Sequence, residues 1–501
     1  MRRRTTTTLV LAALLATAGC GGSGTPAPAT SAAPAAGGTD PNATVNVRLV
    51  LEPTSLDLTK VAGAALDQIL LDNIYEGLVR RTDDGKVAPG LAGLPEVSGD
   101  GLTYTFTLHK ATFHDGSPVT AADVEDSFEK VIADDSANPA KATFASVKDV
   151  EAEGDSTVVV HLSKRDTTFL YALTGRAGVV FKKGATGLDD SENGTGPFRL
   201  HDWQRGSTIT FVRHDAYWGA EKAKVAKIVF RYIPDENAAL NALRAGEIDV
   251  FTGTDADQLA AIEDDPAFTV TSGTSNTIFV LGFNNERLKD ASVRHALRQA
   301  VDKDGLLATL GGEQLYARTG SHVAPTDPWA EDLTSIDPYD KEAAKKVLNG
   351  RSLELTVPNI YPASISDYLA AQYREAGVDL KVNTVEFAVW LDKVYTKGEY
   401  DLSLVAHVEP LTILKYAQPG YYWRYDGEDV QTWTREAITA RSEAERDGLL
   451  KKVARKISED AAVDWLGIAR STTVARRGFT GFPKNDTAAR LNLSGLTAAA
   501  G

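Results

Sequence analysis

"RSLELTVPN" at residues 351–359 alternates apolar and polar side chains, and it opens a run of five segments whose order decides the fold. Residues 364–376 follow with helical spacing, "VDLKVNTVE" (378–386) alternates again, and 387–396 returns to a helical pattern. "YDLSLVAHV" (400–408) closes the series as a third strand. A period of two marks a strand and a period near 3.6 a helix. Strands alternating with helices predict a parallel sheet covered by helices. The class is α/β.

The same grammar extends toward the N-terminus. "TVNVRLVL" (44–51) reads as a strand, and "ALDQILLDNIYEGLVRR" (65–81) as a helix with Leu66, Ile69, Leu70, Ile74 and Leu78 on one broad face. "GLTYTFTLHK" (101–110) alternates with Leu102, Tyr104, Phe106 and Leu108 on one side. "VTAADVEDSFEKVIAD" (119–134) is the cleanest helix: Thr120 caps it, Asp123 completes a capping box, and Val124, Phe128 and Val131 form the buried stripe. "AKIVFRYIPDENAALNALRAGEIDVFTG" (226–253) reads strand, helix, strand, with Gly246 as the helix stop. "SNTIFVLGFNNERL" (275–288) is a long strand, and a helix with Ser292 as N-cap follows it. Two α/β bodies result, the second beginning near Asn276.

Bulk properties agree with a multi-part soluble body. A chain of 501 residues exceeds what one core organises. Its formal charge of −15 argues against a nucleic-acid partner, whose phosphates need a basic footprint. The start, "MRRRTTTTLVLAALLATAGCGG", has a basic end, a short apolar run and small residues before Cys20, the layout of an export signal too short to span a membrane. Cys20 is the single cysteine, so the mature fold has neither disulfide nor thiol chemistry. Residues 20–44, rich in Gly, Ala, Pro, Ser and Thr, read as a flexible tether.

Other chemistries find little support. "NGTGPFRLHDW" (193–203) lacks the Lys-Ser/Thr and the helix of a phosphate loop, so its glycines are assigned to turn geometry. No Gly-x-Ser-x-Gly elbow, free-cysteine nucleophile or His-Glu-x-x-His pattern occurs, and no cofactor is implied. These absences argue against a hydrolase. His407 and Glu409 stand at the carboxyl end of the 400–408 strand, the edge at which open α/β sheets bind ligands. They are also two metal ligands on one side of a strand. "GYYWRYDGED" (420–429) adds Tyr421, Tyr422, Trp423, Arg424 and Tyr425, rings that offer contact area at little entropic cost and a guanidinium suited to a carboxylate. The plain alternative is packing beneath a surface loop.

A family resemblance enters through "NIYEGLVRRTDDGKVAPGLAG", "DGLTYTFTLHKATFHDGSPVTAADVEDSFEKV", "GTGPFRL", "DAYWG", "ALRAGEID" and "ASVRHALRQAVDKDGLL". In order and spacing these resemble the extracytoplasmic solute-binding proteins of oligopeptide, dipeptide and nickel ABC importers, from about residue 45 to 479. "TAGC" at 17–20 resembles a lipobox, which implies lipidation of Cys20 and anchoring on the extracytoplasmic face of the cell membrane. The resemblance implies a two-lobed periplasmic-binding-protein-like fold. Lobe I would comprise 45–75, 190–275 and 474–496, an extra α/β subdomain 76–189, and lobe II 276–473, after a signal peptide at 1–19. Hinge strands would run near 274–285 and 465–473.

The resemblance also implies a monomeric subunit that binds a ligand between the lobes and delivers it to a membrane permease. Short peptides or a peptide-like amino compound are the expected cargo; a metal chelate such as nickel is the runner-up, and an oligosaccharide stands further off. An orphan ligand-sensing lipoprotein is the other reading. In peptide-binding relatives an aspartate near this position meets the peptide amine, which gives Glu409 that role here. The chain departs from the pattern in having Glu409-Pro410 and no asparagine-rich turn after it.

Overall fold

The computed structural model describes residues 38–252, 256–487 and 490–500. Its main sheet contains β1 (Thr44–Leu49), β2 (Phe198–Gln204), β3 (Thr208–Arg213), β4 (Lys227–Tyr232) and β5 (Val250–Thr252). It continues with β6 (Phe268–Phe283), β7 (Ser352–Pro358), β8 (Asp379–Val385), β9 (Leu402–His407) and β10 (Asp464–Arg476). The order across the sheet is β8-β7-β9-β6-β10-β5-β1-β4-β3-β2, and the short strand Tyr316–Ala317 pairs with β10. The five segments that open the sequence reading are β7, the helix Ala363–Glu375, β8, the short helix Phe387–Trp390 with its continuation, and β9.

The sheet is mixed rather than parallel throughout. Parallel pairing is confined to two blocks, β5-β1-β4 and β8-β7-β9. Helices join β4 to β5, β7 to β8 and β8 to β9, whereas β1 reaches its parallel neighbour β4 only after a long excursion of the chain. Between the blocks, β6 and β10 pair antiparallel with one another over most of their length. Residues 268–274 of β6 lie beside 470–476 of β10 in the first block, and 278–283 lie beside β9 in the second. The boundary expected near Asn276 therefore falls inside one strand, where the β6–β10 register shifts between Thr274 and Ile278. The two bodies are two lobes on one sheet.

Each part has its own core. Val45, Val47, Phe211, Phe230 and Leu493 are among the residues that fill the first lobe. A separate four-stranded sheet carries the core of Tyr104, Phe106, Phe113, Phe128, Val158 and Val160 within residues 78–180. The helix Ala121–Ile132 covers it with Val124, Phe128 and Val131 buried, and Oδ2 of Asp123 accepts the Thr120 N–H at 2.8 Å, as a capping box requires. Gly246 ends the helix Glu236–Ala245 with φ 75°, the left-handed conformation glycine adopts without strain.

Four expectations change. The helix expected over 65–81 stops at Leu70, although Ile74 and Leu78 stay buried. Carbonyls that would close the next turns instead accept from elsewhere: Ile74 O from Thr195 and Gly196, Asn73 O from Phe198, and Glu76 O from Val180. Ser292 is not an N-cap; Asp290 is, and it accepts the Ser292 N–H. Gly194 and Gly196 are not turn glycines. A Cβ on either would collide with the backbone of Ile74 or Asn73, so close approach of two backbone segments is what excludes a side chain. Finally, the body starts before residue 44, because Thr39 bridges Ala499 and Asp40 N–H donates to Ala498 O at 2.8 Å. Cys20 lies outside the described residues.

Candidate functional site

The strand directions place two carboxyl edges face to face. β6 runs from the first lobe into the second, and β5 and β1 run parallel to its first part by way of β10. β9 runs antiparallel to β6, and β7 and β8 follow β9. β5 ends at Thr252, level through Thr473 with Thr271 of β6. β9 ends at His407, opposite Ile278. Residues 272–277 of β6 span the gap, about 20 Å of extended chain. Carboxyl ends of parallel strands are where α/β sheets open to ligands. Exposed apolar side chains follow them in sequence: Val50 and Leu51 after β1, Ile360 after β7, Phe387 after β8, and Val408 after β9.

A cavity of about 460 Å³ adjoins this zone. Asn276 from the spanning stretch and Leu411 and Leu414 from the chain after β9 line it. The extra subdomain contributes Val87, Thr167 and Leu170, and the second lobe Asp327, Trp329 and Arg446. The walls are joined directly, since Thr167 N–H donates to Ile438 O and Thr167 Oγ1 to Ala437 O, each at 2.8 Å. The lining is largely apolar but carries both signs of charge in Lys86, Asp327, Glu443 and Arg446. Burial pushes the Asp327 carboxyl up to about 6, against the Ala324 N–H that donates to it at 2.9 Å. Arg446 is oriented by Asp447 at 2.8 Å and reaches Thr167 O at 3.4 Å.

The residues singled out from sequence divide into two groups. Glu409 is exposed just past the end of β9, and Tyr421 is half-buried beside it. Burial first, then Tyr395 and the Glu409 carboxylate, raise the Tyr421 hydroxyl above its ordinary range. His407 turns inward instead: it is buried, and burial holds its imidazole down to about 4. His407 and Glu409 are thus not brought together as metal ligands. Among the described residues the three metal-ligating side chains that do converge are Asp149, Glu151 and His161, on the separate small sheet.

Tyr422, Trp423 and Tyr425 are buried in the second lobe's core. Trp423 stacks on Tyr416 with ring centroids 4.1 Å apart. Tyr425 donates to Asp460 at 2.6 Å, and Tyr400 donates to the Tyr422 carbonyl at 2.8 Å. Gly282 of β6 leaves room for these rings, because a Cβ there would lie 3.2 Å from Tyr422. Arg424 holds its own loop, donating to Gly420 O at 2.6 Å with its backbone at φ 51°. In this conformation the three buried rings are packing.

Sequence reasoning missed Thr167, Asp327, Trp329 and Arg446. "VAPTDPWAED" (323–332) carried a usable signal, since an acid and a tryptophan in a Pro-rich loop suit a binding surface better than a core. Arg446 had none, being one charge among many on the helix Glu443–Glu459.

Residues 86–412 match the model of bacterial extracellular solute-binding proteins, family 5. The chain belongs to that family. A Brucella ovis protein bearing the name ABC transporter peptide-binding protein is 29% identical over 325 residues, which cover 60% of this chain and 61% of that relative's length. The substrate-binding protein CtaP of Listeria monocytogenes superposes with a TM-score of 0.82 at 22% identity, over 92% of this chain and 100% of that one. NikA of Brucella suis in complex with Fe(III)-EDTA gives 0.81 at 22%, over 91% and 100%. At that identity these two likenesses are likenesses of fold. They agree with the two-lobed α/β architecture.

Proposed function

We propose that this family member is the substrate-binding subunit of an ABC importer, anchored outside the cytoplasmic membrane by a lipid on Cys20, with a short peptide or peptide-like amino compound as cargo. The observation that carries the reading is the pair of facing carboxyl edges with the adjoining 460 Å³ cavity. An apolar wall bearing both carboxylates and cations suits a zwitterionic chain whose side chains vary. The name of the Brucella ovis relative supports peptide. Among the cavity's lining residues there is no histidine or cysteine, which weighs against a chelate held through such a ligand.

In this reading the ligand's amine meets the exposed Glu409 carboxylate, with Tyr421 beside it. Closure bends β6 at 275–277 and β10 near Ala469 opposite it, where the ladder between them is already interrupted. A ligand shifts that equilibrium by the contacts it makes only when both lobes reach it. The lobes follow the limits set out above, with the first lobe beginning at Thr39. The closed protein then hands its cargo to a membrane permease as a monomer.

Native mass spectrometry of the body from Thr39, purified gently so that bound cargo survives, tests this. A spread of adducts at the masses of roughly two- to five-residue peptides supports the reading. A discrete amino compound narrows the cargo to that class, whereas an adduct that contains a metal or has no amine overturns it.

A further inference from the structure

The extra subdomain meets its two neighbours through different chemistry. Toward the first lobe the contact is apolar: Val179 lies in that lobe's core, Phe181 packs against it, and Trp218 packs against the subdomain's own core. The subdomain therefore moves with the first lobe. Toward the second lobe no core cluster is shared among the described residues. An interface without an apolar core is one that can part.

One residue joins them. Among the described residues, every hydrogen bond between the subdomain and the second lobe is made by Thr167. Its N–H and Oγ1 donate to Ile438 O and Ala437 O, and its own carbonyl accepts from Arg446 Nη1 at 3.4 Å. The two acceptors end the helix Glu428–Ile438, where carbonyls lose their intrahelical donors. Asp166 braces the loop from within the subdomain. Its Oδ1 accepts the Thr168 N–H at 2.9 Å and the Thr168 hydroxyl at 2.6 Å, and its Oδ2 the Ser146 hydroxyl at 2.8 Å. Thr167, Ala437, Ile438 and Arg446 all line the 460 Å³ cavity, so this contact is part of its wall. At another point of the lining the hairpin residue Gly85 approaches the second lobe, where an added Cβ would lie 3.5 Å from Thr326 Oγ1.

A permanent tie between two bodies is the plain alternative. Bending at 275–277, however, turns the second lobe against the first, and the subdomain goes with the first. Opening must then break the Thr167 bonds, and water replaces them. A net hydrogen bond shifts such an equilibrium by about two- to tenfold, enough to bias closure without locking it. We propose that Thr167 is a clasp that sets cargo affinity, bonded to Ala437 and Ile438 in the closed protein and released in the open one. The closed fraction it adds multiplies the affinity for whatever fills the cavity. The inference rests on the two-lobed binding reading, not on the identity of the cargo.

Spin-label distance measurement on the full chain tests it. Cys20→Ser removes the single cysteine, and labels at Lys148→Cys and Glu436→Cys report on the subdomain and on the helix that carries the acceptors. Both positions are exposed. The parent should show a near and a far population, with trialanine shifting it toward the near one. Thr167→Val exchanges the hydroxyl for a methyl and should lower the near-to-far ratio by about two- to tenfold. Trialanine binding should weaken by up to the same factor, and Thr167→Ser should restore both. An unchanged ratio in Thr167→Val, or a single population in every arm, overturns the proposal. So does a ratio that falls while trialanine affinity stays the same. If the ratio falls but trialanine does not bind the parent, the clasp stands and the peptide reading loses its support.

Discussion

Nε2 of His407 lies 2.9 Å from the hydroxyl of Tyr422, tying the carboxyl end of β9 to the aromatic run at 421–425. The two rings are stacked at 10° with centroids 5.9 Å apart. This contact turns His407 away from Glu409 and into the core. It separates a structural histidine from an exposed carboxylate only two residues on.

The buried histidine should leave a mark on stability against pH. Burial lowers the folded-state value of His407 from 6.5 to about 4. As pH falls through 6.5 the unfolded chain takes up a proton that the folded protein refuses until about pH 4. Stability attributable to His407 is therefore lost across that window, by up to about 3 kcal/mol. Glu76 acts in the opposite sense: burial raises it to about 7, so its folded form gains stability as pH falls from 7 toward 4.5. Urea unfolding from pH 7 to 4 should show a shallower acid-side loss in His407→Gln than in the parent protein. Parallel curves would mean that His407 titrates normally.

Trp423 should behave as core. It is 1% exposed and stacks on Tyr416. Trp423→Ala is expected to cost about 3–5 kcal/mol, and the half-buried Tyr421→Ala less than half of that. Equal, small losses in chemical denaturation would instead make the run a surface wall.

Glu409 offers the opposite contrast. Glu409→Ala should leave the unfolding free energy within about 0.5 kcal/mol of the parent, because the side chain is exposed. Affinity for a peptide identified by mass spectrometry should fall by about tenfold, read by titration calorimetry. Unchanged affinity would remove the amine-binding role.

The glycines of "GTGPF" make a backbone prediction. Gly194→Ala forces a methyl into the Ile74 carbonyl and should destabilise by about 3 kcal/mol. Gly93→Ala, where nothing lies within 4 Å of the added Cβ, should be near neutral, and thermal melts of the two variants check the contrast.

Local chemistry was legible in the sequence wherever it was self-contained. The alternation at 351–408 carried the β7-to-β9 block, Thr120 and Asp123 carried a helix start, and Gly246 a helix stop, because each depends on neighbours a few residues away. The helix Ala64–Leu70 is shorter than its apolar spacing predicts because partners more than a hundred residues distant claim the carbonyls of Asn73, Ile74 and Glu76. The position of the site was half-legible: the carboxyl end of β9 follows from strand order, but which side chains face outward there does not. Tyr421 and Tyr422 are adjacent and identical in chemistry, yet one is half-buried and the other in the core. Trp390, Tyr400 and His407, brought by the fold against Tyr422, decided that. Burial is a property of what other chain segments place on a residue, and no local pattern records it.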